Sequence, residues 1–223
     1  MIFDRDGTLL DVDDMFHQFI LDLHDAAGLA APSRAEILGY DYWESIVNGR
    51  LYIGPVRVRD RVDEVPTRYM TRGRLFPGIP AAIRTLAAYG IQMAVVSAWV
   101  GTEATRGLLK QYRIHDACAV VRTRDDLPVH RSAYPDGQCK AWLAEQALAT
   151  LDRRQVNRLV VVGDSPADVE LGRLLGAWTI GVHTGHGHRL PAPGEPLAPD
   201  TMMASAADIV PLILGFRAGV PAP

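Results

Sequence analysis

With 223 residues, 48% hydrophobic content and a formal net charge of −3, the chain can bury a substantial core, as one large domain or as a core with a smaller attached unit. The slightly acidic balance gives no bulk attraction for nucleic acid, and no stretch is long and apolar enough to suggest a membrane span. Two cysteines, Cys118 and Cys139, are too few for a disulfide framework and are expected as buried or idle thiols of a reducing compartment. No charged segment followed by an apolar run opens the sequence, so no signal peptide is expected and the expected location is the cytoplasm.

Met1-Ile2-Phe3 predicts a short buried strand that delivers Asp4 at its carboxyl end. Asp6 follows on the loop, and Gly7 lets the chain turn away. Two carboxylates this close repel unless a cation or a proton lies between them. That suits Mg²⁺, which takes oxygen ligands and leaves room for a substrate phosphate; it also suits a plain acidic turn.

Residues 14–27 carry Phe16, Phe19, Ile20 and Leu23 at helical spacing and predict an amphipathic helix. Ser33 is placed to cap a second helix running to about Tyr40. Residues 41–75 are expected to be irregular. Between Asn48 and Arg74 they hold Arg50, Arg57, Arg59, Arg61, Arg68, Arg72 and Arg74 against Asp60, Asp63 and Glu64. Such a stretch suits a solvated surface, or an anion-recognising one that also offers Trp43 and Tyr52 for stacking.

Phe76-Pro77-Gly78 marks a turn, and Pro80 to Tyr89 a helix ending at Gly90. Ile91 to Ser97 predicts a strand ending in a hydroxyl, followed by a helix from Gly101 to Arg113. Ser97 and the N–H groups at that helix start form a phosphate cradle, or Ser97 bonds its own loop. A strand is expected from Ala117 to Thr123, then a helix from Lys140 to Leu151 with an apolar stripe through Ala141, Trp142, Ala144, Ala147 and Leu148. A lysine at a helix start opposes the helix dipole, a mild hint of another role for Lys140.

Arg158 to Asp164 is an apolar strand of the kind covered on both faces, with Asp164 at its carboxyl end. Ser165 reads as an N-cap with Pro166 at the first helical position. Asp168 then either completes a capping box or supports a metal site. Trp178 to Val182 gives one more strand. The segment 183–199 is loop-like; its His183, His186 and His188 lack a Cys or acidic partner and read as polar loop residues rather than a metal site. Residues 219–223 are expected to fray.

The alternation predicts a doubly wound, Rossmann-like parallel sheet with helices on both faces. Its core would be residues 1–13 and 76–223, with residues 14–75 as a small, mainly helical cap.

Asp4-x-Asp6-Gly7-Thr8, Ser97, Lys140 and Gly163-Asp164-Ser165-x-x-Asp168 occur in the order of the four motifs of the haloacid dehalogenase superfamily, which the sequence resembles over about residues 1–13 and 75–215. The resemblance implies Asp4 as nucleophile, Asp6 as general acid/base, and Ser97 and Lys140 as ligands of the phosphoryl group. It implies a Mg²⁺ site of Asp4, Asp6 through its backbone carbonyl, and Asp164, with Asp168 behind. Lys110, the only other lysine, lies where the family pattern places none.

The implied activity is Mg²⁺-dependent hydrolysis of a small phosphomonoester through an aspartyl-phosphate, the partner being a small phosphorylated molecule. Asp6 speaks against a dehalogenase, because a departing halide needs no proton. The lack of any lysine before Lys110 removes a phosphonate-cleaving relative that needs a cap lysine for a Schiff base. A phosphomutase would keep both aspartates and stays open. A non-catalytic phospho-ligand binder also stays open, although it would gain nothing from crowded carboxylates.

Overall fold

The computed structural model describes residues 1–118, 120–131, 133–151 and 158–217. The chain divides into two compact units, Met1–Asp11 with Leu75–Pro223, and Val12–Arg74.

The first unit is built on a six-stranded sheet in the order β10-β9-β8-β1-β6-β7. Its strands are β1 (Ile2–Phe3), β6 (Ala94–Val96), β7 (Val120–Arg122), β8 (Val160–Gly163), β9 (Trp178–Val182) and β10 (Thr201–Met203). Every pairing is parallel. The central strands are apolar throughout because helices cover them. Ile2, Ala94, Val96, Val120 and Val161 pack with Ala141, Leu143, Ala144, Ala147 and Leu171 into one cluster.

The covering helices of this unit are α5 (Ile79–Ala88), α6 (Thr102–Gln111), α7 (Asp136–Thr150), α8 (Pro166–Leu175) and α9 (Val210–Arg217). Helix α7 lies against β6, β7 and α8. It begins at Asp136, four residues before the expected start at Lys140. Lys140 is therefore in the second turn, and the helix dipole is not what sets its environment. Strand β10 and helix α9 extend the alternation past Val182, where the sequence pattern gave no separate element.

The second unit holds α1 (Asp13–Ala27), α2 (Arg34–Ile37), α3 (Tyr40–Val47) and α4 (Glu64–Arg68). Ser33 caps α2, its side chain accepting from the Glu36 N–H at 3.2 Å, but that helix stops at Ile37. The stretch expected to be irregular contains α3, an antiparallel hairpin of β3 (Tyr52–Ile53) with β4 (Val56–Arg57), and α4. Aromatic packing, not propensity, makes α3: the Phe16 ring meets those of Trp43 at 5.7 Å and Tyr42 at 6.5 Å, both edge-on. The short strands β2 (Leu10–Asp11) and β5 (Arg74–Leu75) form a two-stranded sheet of their own. No helix among the described residues is long and apolar enough to cross a membrane.

Candidate active site

Strand register gathers the site. Ile2 pairs with Ala94 and Val161, and Phe3 with Val95 and Val162. Asp4 therefore leaves β1 level with Val96 and Gly163, one residue before Ser97 and Asp164 leave β6 and β8. All three sit just past the carboxyl ends of neighbouring parallel strands, where open α/β sheets place their ligands. The Asp4 N–H still donates to Val162 O at 2.9 Å and the Ser97 N–H to Arg122 O at 3.0 Å, so the sheet fixes both backbones.

Lys140 reaches this edge from α7. Its Nζ lies 2.8 Å from Asp4 Oδ1 and 2.6 Å from Asp168 Oδ1. All three residues are buried. Asp168 makes the capping box and also pairs with Lys140. Oδ2 accepts from Ser165 N at 3.1 Å and Ser165 Oγ at 2.6 Å in a capping box, and Oδ1 holds Lys140. Both of its oxygens are thus engaged.

Asp164 is held from two loops. Its Oδ1 accepts from Thr8 Oγ1 at 2.9 Å and its Oδ2 from the His186 N–H at 2.8 Å. The approach is so close that a Cβ at Gly7 (φ 77°) or at Gly185 (φ 57°) would strike the Asp164 carboxylate. Both positions also need the left-handed conformation that glycine takes freely.

Asp4, Asp164 and Asp168 each place a carboxylate oxygen within 4.8 Å of the others, the one such cluster of acidic, His or Cys side chains among the described residues. Two of these carboxylates share one ammonium, and the charges answer to that. Burial pushes the Asp4 carboxyl well up, with Asp168, Asp164 and Asp6 adding to the effect against the pull of Lys140. Burial, then the Asp168 charge, pushes Asp164 up to about 6. Burial opposes the charge on Lys140, but Asp168 and Asp4 outweigh it and hold the ammonium above the ordinary lysine value.

The Asp6 side chain turns elsewhere. Oδ1 accepts from Arg5 Nε and Oδ2 from Arg5 Nη2, each at 2.9 Å, and Oδ2 also accepts from Ser97 Oγ at 2.9 Å. The N–H groups expected to cradle phosphate at the start of α6 are already engaged: those of Gly101 and Thr102 donate to Asp125 Oδ2 at 2.7 and 2.9 Å. That expectation is corrected, since a built-in carboxylate occupies the anion position. Of the three loop histidines, His186 touches the site through its backbone N–H. Cys118 and Cys139 are free and buried.

Sequence reasoning gave no role to Arg5, Thr8 or the 185–187 turn. Thr8 stood inside a motif, and Gly185 and Gly187 flank His186; those were the available signals.

Buried carboxylates and a lysine thus gather at the carboxyl edge of a doubly wound parallel sheet, an α/β protein with its site at the strand ends. The profile of the haloacid dehalogenase-like hydrolases matches residues 1–176, and the chain belongs to that family. No curated protein matches it in sequence. Among solved structures it is similar to Mycobacterium tuberculosis Protein Tyrosine Kinase A, at 24% identity and a TM-score of 0.68 over 95% of this chain and 96% of that one. It is also similar to a predicted phosphoglycolate phosphatase from Haemophilus somnus, at 20% identity and 0.67 over 95% and 96%. A protein described as a beta-phosphoglucomutase from Thermotoga maritima shares 17% identity and a TM-score of 0.63 over 96% and 97%. At these identities the likeness is one of fold.

Proposed function

We propose that this hydrolase is a Mg²⁺-dependent phosphatase that cleaves a small phosphomonoester through an aspartyl-phosphate on Asp4. Residues 14–75 are its cap and select the leaving group. The observation that carries this is the buried cluster of Asp4, Asp164 and Asp168, with Asp4 and Asp168 sharing the ammonium of Lys140. An all-oxygen cluster with excess negative charge fits a hard divalent cation. By the family resemblance, Asp4, Asp164 and the Asp6 backbone carbonyl would hold the ion, with Asp168, bonded to Lys140 and Ser165, behind them. Bound there, Mg²⁺ would screen the approach of a carboxylate to an anionic phosphate.

The chain's own groups supply the rest. An Asp4 carboxylate oxygen attacks phosphorus in line, and the bond from phosphorus to the ester oxygen breaks. Asp6 gives its proton to that oxygen, then takes one from the water that releases phosphate from Asp4. Lys140 and Ser97 donate to the transferring oxygens. The Ser165 cap fixes Asp168, which in turn fixes Lys140.

The test is release of inorganic phosphate from a panel of phosphorylated metabolites, with Mg²⁺ and with excess chelator. Release that requires the metal is expected, and full activity in chelator would contradict the assignment. Transfer of phosphate between positions of a sugar phosphate without release would replace the phosphatase by a mutase.

A further inference from the structure

The geometry points to Arg5 as the positioning residue for Asp6, an inference that rests on the acid/base role proposed above. Arg5 heads the fully buried side chains by size and is 1% exposed. It lies between two acidic residues, and nothing in the chemistry so far uses it. Its guanidinium grips both oxygens of Asp6 at 2.9 Å through Nε and Nη2. The remaining nitrogen, Nη1, is anchored to Val100 O at 2.9 Å and to Thr105 Oγ1 at 2.7 Å. Thr105 Oγ1 in turn donates to Gly101 O at 2.7 Å. The fork is tied to the start of α6 on one side and to Asp6 on the other.

Ser97 explains why such a fork is useful. Its oxygen accepts from the Trp99 N–H at 3.0 Å, and its hydroxyl donates to Asp6 Oδ2 at 2.9 Å. A hydroxyl has one proton to give. When Ser97 turns that proton to a phosphoryl oxygen, Asp6 loses it, and the two N–H groups of Arg5 remain to aim the carboxyl. A planar fork fixes the direction of a carboxyl group in a way that a lysine ammonium does not. The consequence falls on leaving groups that need a proton.

The experiment compares kcat/KM for p-nitrophenyl phosphate, whose phenolate leaves readily, with that for phenyl phosphate, whose less acidic phenol needs protonation. It uses wild type, Asp6→Asn, Arg5→Met, Arg5→Lys and Thr105→Val. Asp6→Asn and Arg5→Met should each widen the ratio in favour of the nitrophenyl ester by about tenfold or more. Arg5→Lys should not restore it, and Thr105→Val should move it the same way by less. An unchanged ratio in Asp6→Asn would remove the acid role of Asp6 itself. A widened ratio there, with both substrates falling in parallel or neither changing in the Arg5 and Thr105 variants, would make Arg5 a packing residue and overturn the inference. If Arg5→Met does not fold, Thr105→Val decides.

Discussion

The Lys140 ammonium, carried by α7, stands 2.8 Å from Oδ1 of Asp4, which strand β1 delivers. A second carboxylate, Asp168, holds the same nitrogen at 2.6 Å. The lysine is what makes a buried cluster of aspartates tolerable without a metal. In the proposed mechanism it is also a donor to the phosphoryl oxygens.

Lys140→Met should therefore lose stability as well as turnover. Removing one partner of a buried ion pair costs about 3–5 kcal/mol, because the remaining charge is left without compensation. Urea denaturation of the metal-free protein near neutral pH measures this. A loss below about 1 kcal/mol, the range of exposed pairs, would contradict the buried pairing.

Metal binding and pH should be linked through Asp164. Its folded value of about 6 lies above the ordinary 3.8, so between those values the metal-free fold binds more protons than the unfolded chain. The stability from this group is full below the ordinary value and is lost as pH rises through about 6. A cation needs the ionised form, so the gain in Tm on adding Mg²⁺ should grow from about pH 5 to about pH 8. Asp164→Asn should flatten that dependence. A Mg²⁺ shift that is the same at both ends would contradict the assignment of the cluster as a metal site.

The arginines from Arg50 to Arg74 divide into two groups. Arg61 and Arg68 are paired with Glu64, and Arg57 donates to Gly49 O at 3.2 Å. Arg50, Arg59, Arg72 and Arg74 are exposed. Alanine at one of the exposed four, if it faces substrate, should lower kcat/KM for the preferred ester by roughly ten- to a hundredfold, the worth of one charged hydrogen bond at about 1.5–3 kcal/mol. p-Nitrophenyl phosphate, with no second anchor, should change far less. Parallel loss of both substrates, or no loss in any variant, would end the idea that these arginines select the ester.

Much of the core was legible because its strands are uninterrupted apolar runs that end in Asp or Ser. Val160–Gly163 followed by Asp164 is the clearest case. What was not legible has physical causes. Helix α3 is made by Phe16 packing on Tyr42 and Trp43 from another helix, which no local pattern records. The start of α7 was hidden by Pro135 and Gly137, residues that usually mark a loop. Strand β10 is three residues long, preceded by Asp200 and followed by Ala204-Ser205. At the site, an arginine between two aspartates looks like a surface residue until the fold buries it. The hold of His186 on Asp164 is a backbone bond that leaves no mark in side-chain chemistry.

The most direct measurement of the central claim is to quench the Mg²⁺-loaded protein with acid during turnover of p-nitrophenyl phosphate and map the phosphate by peptide mass spectrometry. The account predicts an acid-stable, alkali-labile phosphate on Asp4, absent from Asp4→Asn, which should also release no inorganic phosphate. A phosphate on another residue, or an Asp4→Asn protein that turns over at the wild-type rate, would contradict it.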